Sequence, residues 1–261
     1  MPTPVRAIGI THPGSPRRDR FVAMLETLGI PYELKPAVFV QGALPWSHHY
    51  DHGSRIRNLG YAMRAGEVGC FLAHRGVWAA ASCAEGCTLV LEDDAFVDPS
   101  RLPDILAAAQ LLAGENAAAR LISQPRPSFR SWRNLGEETD LVRPARNGNL
   151  TVGYLISKRG ARSLLLHSEA FWCPVDDYMN LEYVHGCLMF HFEPEIAEHR
   201  DDGVSLIGRR EKPPVGTARK LVREALRAWR NARGAVHSLL VLVRFRLCFR
   251  RVRHPTKKAS P

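Results

Sequence analysis

The amino-acid sequence predicts an α/β fold with a mostly parallel central sheet. Short apolar runs alternate along the chain with segments whose apolar residues recur at helical spacing. The first forty residues follow the order strand, helix, strand, and such a crossover joins parallel strands. With 261 residues, of which 45% are hydrophobic, the chain can bury a sizeable core, which excludes disorder throughout its length.

Two strands and one helix make up the first unit. Residues 5–10 are apolar, and a turn-rich stretch with two prolines follows at 11–16. Residues 17–28 carry apolar side chains at helical spacing, and residues 32–40 return to an extended pattern. Residues 41–60 have no periodic pattern, so we predict a long loop there whose histidines are not expected to bind a metal.

The next elements alternate in the same way. A buried helix is predicted over 66–81, a short buried strand over 88–91 and a helix over 103–113. Weaker apolar runs predict short strands at 120–122 and 141–142. The alternation favours helices packed against one sheet.

The remainder of the folded body is predicted from one strong strand. Residues 150–157 form this strand, and a helix follows over 159–167. The segment 123–148 is rich in Pro, Arg and Ser, which predicts a mobile loop and suggests a lid. A last helix is expected after Asp176 and Asp177, over about 178–184, and the body is expected to close near 208.

The net charge of +10 is distributed unevenly along the chain. Residues 209–261 contain 16 Lys and Arg and two acids, which leaves 20 basic and 24 acidic residues in 1–208. The tail therefore carries a net +14 and the body a net −4. We predict a folded domain over 1–208 and a basic tail over 209–261.

The tail has the pattern of an amphipathic helix behind a linker at 210–216. One face is apolar and the other is largely basic: Leu221, Val222, Ala225, Leu226 and Trp229 against Arg219, Lys220, Arg223, Arg227, Arg230 and Arg233. This pattern predicts binding to an anionic membrane surface. The alternative is a nucleic-acid-binding arm, but contact with phosphates alone needs no apolar face, so no nucleic acid is expected.

The same reading predicts where the protein is found. The N-terminal residues lack the pattern of a signal peptide, and no uncharged apolar stretch reaches the ~18 residues that span a bilayer. The six cysteines contain no Cys-x-x-Cys pair, which favours reduced thiols over a disulfide framework or a zinc site. We therefore expect a cytoplasmic protein, peripheral on the inner face of the cytoplasmic membrane.

The sharpest chemical signal is the run Glu92-Asp93-Asp94 after the buried strand at 88–91. An acid-x-acid pair at the carboxyl end of a strand lets Glu92 and Asp94 converge on one hard divalent cation, which shares its remaining sites with phosphate oxygens. The alternative is a polar strand end that caps the next turn. The apolar residues before the acids favour a site, because buried acids are costly unless they are liganded or hydrogen-bonded.

Two further groups complete the candidate site. Asp176 and Asp177 form a second acidic pair in which one carboxylate could act as general base, although acids after a proline also cap helices. Arg17 and Arg18 follow the first strand, where arginines suit a diphosphate or a sugar acid. His74, on the predicted buried helix, has the pattern of a core histidine.

Several segments together resemble glycosyltransferase family 25, the lipopolysaccharide and lipooligosaccharide glycosyltransferases. The most specific is GEVGC-x-x-AH at 66–74 followed by LEDD at 91–94. The others are SPRR at 15–18, LGIPYE at 28–33, GYLIS at 153–157 and PVDD at 174–177. The resemblance covers about residues 5–208, which makes this part the expected catalytic domain.

The resemblance implies an A-type nucleotide-sugar transferase fold and a UDP-sugar donor, often UDP-galactose. It implies an inverting transfer of a hexose to a carbohydrate hydroxyl of a lipopolysaccharide or another glycan. Mn²⁺ or Mg²⁺ would be held on the diphosphate by Glu92 and Asp94.

The donor would also contact five residues under this resemblance: Asp93, Arg17, Arg18, Glu67 and His74. The presence of two acidic clusters, rather than the resemblance, suggests the catalytic base: Asp176, in preference to Asp177. A body that keeps the transferase fold without activity, as a scaffold, remains the other alternative.

Overall fold

A computed structural model describes residues 2–42, 47–124, 129–135, 139–144, 147–200 and 217–248. It begins with the predicted strand, helix, strand unit. Strand β1 (Val5–Thr11) is followed by helix α1 (Arg18–Thr27) and strand β2 (Tyr32–Pro36), and β2 pairs in parallel with β1. The domain boundary near 208 and the linker at 210–216 lie outside the described residues.

Helix α2 (His52–Leu59) corrects the prediction of a loop over 41–60. Asp51 caps the helix, because its Oδ1 accepts the backbone N–H of Ser54 at 2.8 Å. Gly60 ends it with a φ of 84°, a left-handed conformation that glycine adopts at little cost. The cap and the terminating glycine define a helix that hydrophobic periodicity alone does not reveal.

Helix α3 (Ala65–Cys83) and strand β3 (Cys87–Glu92) confirm the buried helix and strand predicted before the acidic run. The short strand β4 (Ala95–Val97) and helix α4 (Leu102–Leu112) follow. Helix α3 passes close to the chain beyond β2. A Cβ at Gly69 would lie 2.0 Å from the carbonyl oxygen of Val38, so only glycine fits there.

The segment 123–148 is only partly the loop that its composition predicted. After strand β5 (Ala117–Arg120), strands β6 (Phe129–Asn134) and β7 (Asp140–Pro144) pair with each other in an antiparallel hairpin at the end of the sheet. Leu141 and Val142 of β7 are buried, which favours pairing of this segment with the sheet. Strand β8 (Gly153–Ser157) and helix α5 (Lys158–His167) confirm the next two predictions.

The single helix predicted over about 178–184 is instead two short helices, α6 (Val175–Met179), which includes both acids, and α7 (Glu182–His185). Strands β9 (Leu188–Glu193) and β10 (Ala197–His199) follow, and neither was predicted. Helix α8 (Thr217–Cys248) lies within the predicted tail of 209–261, whose other residues are outside the described part of the chain. Among the described helices, none is both long enough and apolar enough to cross a membrane.

The predicted mostly parallel sheet is instead mixed. Its described strands lie in the order β2-β1-β3-β8-β5-β9-β7-β6, and β10 pairs separately with β4. Three of the seven pairings in the large sheet are parallel and four are antiparallel. The cause is that β8 and β7 run against the other strands, and each interior reversed strand makes two antiparallel pairings.

The sheet separates two hydrophobic cores. One contains Phe21 and Leu25 of α1 with Ile105 and Leu112 of α4. The other contains side chains of α3, α5 and α6: Phe71, Trp78, Leu164 and Tyr178. Because β1, β3, β5 and β9 point the same way, their carboxyl ends share one edge, where open α/β sheets form ligand crevices.

Alanine substitutions at two glycines of α3 test how closely this helix approaches the backbone of Val38. Gly69→Ala should lower the free energy of unfolding by about 1–3 kcal/mol, because the new methyl group overlaps the Val38 carbonyl. Gly76→Ala is the control: apart from the backbone of α3 itself, no atom of the described residues lies within 4 Å of its added Cβ, so it should stabilise the helix by about 0.5–1 kcal/mol. Urea denaturation measures both, and equal effects at the two positions would contradict this packing.

Candidate active site

A cleft of about 640 Å³ opens at the carboxyl edge of the sheet. Its walls come from the ends of β1 and β3, the start of α3, the segment before β8 and the segment around α6. The described lining includes five carboxylates and two arginines: Glu67, Glu92, Asp93, Asp94 and Asp176, with Arg17 and Arg64. This excess of negative charge suits a cation.

Glu92 ends β3 and is fixed by hydrogen bonds. Its Oε1 is 2.9 Å from the donating hydroxyl of Thr151 and 3.2 Å from Nε2 of His74. Thr151 reaches Glu92 because β8 runs antiparallel to β3, with the Glu92 N–H donated to the carbonyl of Val152. Burial raises the pKa of Glu92, but the hydrogen bonds from His74 and Thr151 more than offset this, so the pKa lies below its ordinary value.

His74 belongs to a chain of buried polar groups behind Glu92. The indole N–H of Trp78 donates to the Tyr154 hydroxyl at 3.0 Å, and that hydroxyl lies 2.9 Å from Nδ1 of His74. An ionised carboxylate only accepts, so Nε2 of His74 carries the proton toward Glu92. His74 is fully buried yet borders the cleft, so it is both a core histidine and a support for an acid of the site.

Asp93 and Asp94 lie in the turn after β3. The hydroxyl of Thr11 donates to Oδ2 of Asp93 at 2.8 Å. A guanidinium nitrogen of Arg17 lies 3.9 Å from Oδ1 of Asp93 and 3.8 Å from Oδ2 of Asp94. The two aspartates therefore share one arginine, which comes from the start of α1.

Asp94 is the least satisfied of the acids. Its Oδ1 is buried and has no hydrogen-bond partner among the described residues. Burial, and next the neighbouring charge of Glu92, raises the pKa of Asp94 to about 6. A buried carboxylate oxygen without a partner is costly, and a bound cation would remove that cost.

His199 is a site residue that the sequence did not reveal. Its Nε2 lies 3.2 Å from Oδ2 of Asp94. Pairing of β10 with β4 brings His199 opposite Ala95, and the N–H of Arg200 donates to the Asp94 carbonyl at 2.8 Å. No local pattern marks this histidine, because its neighbour is 105 positions away in the chain.

Asp176 borders the cleft from the first turn of α6. The backbone N–H of Asp177 donates to its Oδ1 at 2.9 Å, whereas Asp177 itself does not line the cleft. Beneath this turn, fully buried Arg120 donates to the Asp176 carbonyl at 3.1 Å and to Asn180 Oδ1 at 3.0 Å. Burial lowers the pKa of Arg120 to about 10, which leaves it charged at neutral pH.

Arg120 also connects this turn to the segment before β8. Its other guanidinium nitrogen donates to the carbonyl of Gly148. Asn180 donates to the same carbonyl at 3.1 Å and to Asn149 at 3.0 Å. These bonds fix the backbone of Asp176 relative to residues 148–152, so Arg120 is a positioning residue for this side of the cleft.

The other predicted donor-binding residues are divided between the cleft and its surroundings. Arg17 and Glu67 line the cleft, and Arg18, the first residue of α1, does not. Glu67 caps its own helix, because its Oε2 accepts the N–H of Arg64 at 3.0 Å. The cleft therefore contains Glu92, Asp93, Asp94, Arg17, Glu67, His74 and Asp176 of the predicted set, with Arg18 and Asp177 outside.

Two groups of side chains have the chemistry of metal ligands. Asp94, Glu92 and His199 offer mainly oxygen donors, which Mn²⁺ and Mg²⁺ accept, and the unpartnered Oδ1 of Asp94 fits such an ion. Among the described residues, Cys70, His74 and Glu92 are the group of three whose ligand atoms all lie within 4.8 Å of one another. The thiol and imidazole of that second group suit Mn²⁺ or Mg²⁺ less well than the carboxylate oxygens of the first group, so donor chemistry favours the first group for these ions.

Comparison with known proteins identifies the family. A sequence profile described as glycosyltransferase family 25 (LPS biosynthesis protein) matches residues 14–179, more than half of the chain. The chain belongs to glycosyltransferase family 25. The match includes Arg17, the acids at 92–94 and Asp176, and it ends before His199. The expected resemblance is thus confirmed.

Relatives in two mosquitoes agree with the family 25 assignment. A glycosyltransferase 25 family member of Anopheles gambiae is 30% identical over 179 residues, and one of Aedes aegypti is 30% identical over 185 residues. Each alignment covers 64% of this chain and 29% of the relative. The family 25 chain thus matches about three-tenths of the length of these relatives.

Asp94→Asn tests the charge state of the cleft in the metal-free protein. Because the folded-state pKa of about 6 exceeds the ordinary 3.8, wild type loses stability as the pH rises through this interval, and the uncharged variant does not. The variant should be more stable by about 1–3 kcal/mol at pH 7.5 and equal to wild type near pH 4. Urea denaturation with chelator at several pH values measures this difference.

Asp98→Asn is the matched control for that series. Hydrogen bonds from Ser100 lower the pKa of exposed Asp98, so this variant should not gain stability over wild type as the pH rises. If the stability of wild type and of Asp94→Asn depended on pH in the same way, the raised pKa of buried Asp94 would be contradicted.

Proposed function

We propose that this family 25 chain is a metal-dependent transferase that moves a hexose from a UDP-sugar to a glycan hydroxyl with inversion. The observation that carries the proposal is one cleft bordered by Glu92, Asp93, Asp94 and Arg17, with Asp176 contributed by another element. We also infer that the mixed sheet is a variant of the A-type nucleotide-sugar transferase fold.

The charge of the cleft supports a diphosphate donor bound together with a cation. Five carboxylates would repel a diphosphate, so a divalent cation between acids and phosphates is the arrangement that relieves this repulsion. Arg17 adds a guanidinium 3.8 Å from Asp94, a position from which it would bind a phosphate oxygen. Arg18 and Asp177 lie outside the cleft, so we propose no direct contact of either with the donor.

Asp94, Glu92 and His199 would hold the cation, Mn²⁺ or Mg²⁺. When bound, the ion would offset the negative charge that develops on the departing UDP. Thr11 keeps Asp93 oriented through its hydroxyl bond, which supports a role for Asp93 toward the ribose or the sugar. His74 would act through Glu92 rather than by direct contact with the donor.

Asp176 is the proposed base. Its carboxylate would take the proton of the acceptor hydroxyl while that oxygen attacks the anomeric carbon and the bond to the UDP oxygen breaks. The electron pair of the broken bond leaves with UDP, and attack opposite the leaving group inverts the anomeric centre. Arg120 would fix the position of Asp176 by donating a hydrogen bond to the backbone carbonyl of Asp176.

The choice of sugar and acceptor comes from the family. The resemblance favours galactose as the hexose, and the description of the family names lipopolysaccharide biosynthesis. We propose UDP-galactose as donor and a lipopolysaccharide or lipooligosaccharide hydroxyl as acceptor.

A donor panel tests the proposed function directly. Binding of UDP-galactose with Mn²⁺ should raise the melting temperature of wild type, and chelator should abolish the shift. Asp94→Ala should lose the shift, and Asp98→Ala, on an exposed turn, should keep it. Slow Mn²⁺-dependent hydrolysis of the donor by wild type separates an enzyme from an inactive scaffold. A shift that is indifferent to metal, or no hydrolysis with any donor, would contradict the proposal.

The two acids at 176–177 provide a matched pair for catalysis. Asp176→Asn should lower kcat by about 10²–10⁴-fold with little change in donor KM, because it removes the proton acceptor and leaves the donor contacts intact. Asp177→Asn should retain most of the activity, because its side chain lies outside the cleft. Wild-type turnover by both variants would exclude the pair as the source of the base.

A further inference from the structure

Helix α8 is held against the folded body by one of its faces. Arg230 donates to Oδ1 of Asn58 on α2, and His237 places its Nε2 3.5 Å from Oε2 of Glu182 on α7. Val241 is 7% exposed and belongs to a hydrophobic core of the body. Arg230 and His237 are seven residues apart, and Val241 follows four residues later. These spacings, eleven residues in total, place all three side chains on the same side of a helix.

The opposite face of α8 is apolar and exposed. The large apolar residues of this stripe are Leu221, Val222, Trp229, Val236, Leu239, Leu240 and Val243. At 100° per residue they fall within an arc of about 100°, and they extend along about 33 Å of helix. Leu239 and Leu240 are 61% and 63% exposed, which is unusual for neighbouring leucines on one surface.

We propose that this stripe lies in the interface of an anionic membrane, with α8 parallel to the bilayer surface. The proposal goes beyond sugar transfer and does not depend on it. An apolar stripe about 100° wide, on a helix that also carries basic side chains, is the pattern of an interfacial helix. Although α8 has 32 residues, no described stretch of it is apolar enough to cross a membrane.

The charge distribution of the chain favours an anionic membrane over a second copy of α8 or nucleic acid as the ligand of the stripe. Residues 209–261 carry 16 Lys and Arg against two acids, whereas 1–208 sum to −4. Basic residues beside a bilayer gain about 1 kcal/mol each from anionic lipids, so this end of the chain is attracted and the body is not. A second copy of α8 would bring like charges together, and nucleic acid would leave the apolar stripe in water.

The test uses the full chain and vesicles of phosphatidylcholine with and without phosphatidylglycerol. Wild type should bind the anionic vesicles at least about tenfold more tightly than the neutral ones, and added salt should weaken the binding. A variant with both Leu239→Ser and Leu240→Ser should lose at least about tenfold in affinity, because two buried leucines no longer contribute. Co-sedimentation measures both effects.

Leu166→Ser is the matched control. Leu166 lies on α5 and is 57% exposed, nearly as much as Leu239, but it is outside the stripe. This variant should bind vesicles like wild type. Because all three leucines are largely exposed, neither variant should change the midpoint of urea denaturation, so loss of binding is not loss of fold.

Arg227→Glu tests the charge contribution separately. Arg227 is exposed on α8, and its reversal should weaken binding to anionic vesicles and leave binding to neutral vesicles unchanged.

Three outcomes would overturn the proposal. The first is unchanged vesicle binding by the double leucine variant. The second is a wild-type dimer in solution that this variant dissociates, which would show that a second copy covers the stripe. The third is binding to DNA in preference to anionic vesicles.

Discussion

The cost of holding carboxylates together at the end of a buried strand determines how this site is built. Glu92 is kept ionised by Thr151 and by a chain of hydrogen bonds that begins at Trp78. Asp93 is stabilised by Thr11 and Arg17, while Asp94 keeps one buried oxygen without a partner among the described residues. The first two acids are satisfied by the protein, and the third leaves a negative charge for a ligand to neutralise.

Much of this arrangement could be predicted because its signals are local. An apolar run before three acids marks a strand end, and apolar residues at helical spacing identify α1, α3 and α5. Strand direction was not predictable in this way: β8 runs against β3 and β5, and pairing between distant segments leaves no local trace. His199 was missed for the same reason, since a β pairing with β4 brings it to Asp94.

The region that matches the family profile is shorter than the folded body in the structure. The family match ends at residue 179, within α6, so β9, β10 and α8 lie beyond it. Yet β9 pairs with β5 inside the sheet, and β10 carries His199 to the acids. Residues outside the matched region therefore complete both the fold and the cleft, and α8 is fastened to the same body through Glu182 and Asn58.

The reversed strand β8 has an evolutionary consequence. Its amino end reaches the cleft, so the connection before it, 147–152, forms part of one wall while β3 and β5 pin the strand on both sides. Insertions or deletions in this connection would reshape that wall and, through Thr151, would also change the support of Glu92, while β3 itself stays paired with β1. Substrate range in such a fold can diverge through loop length alone, on an unchanged sheet.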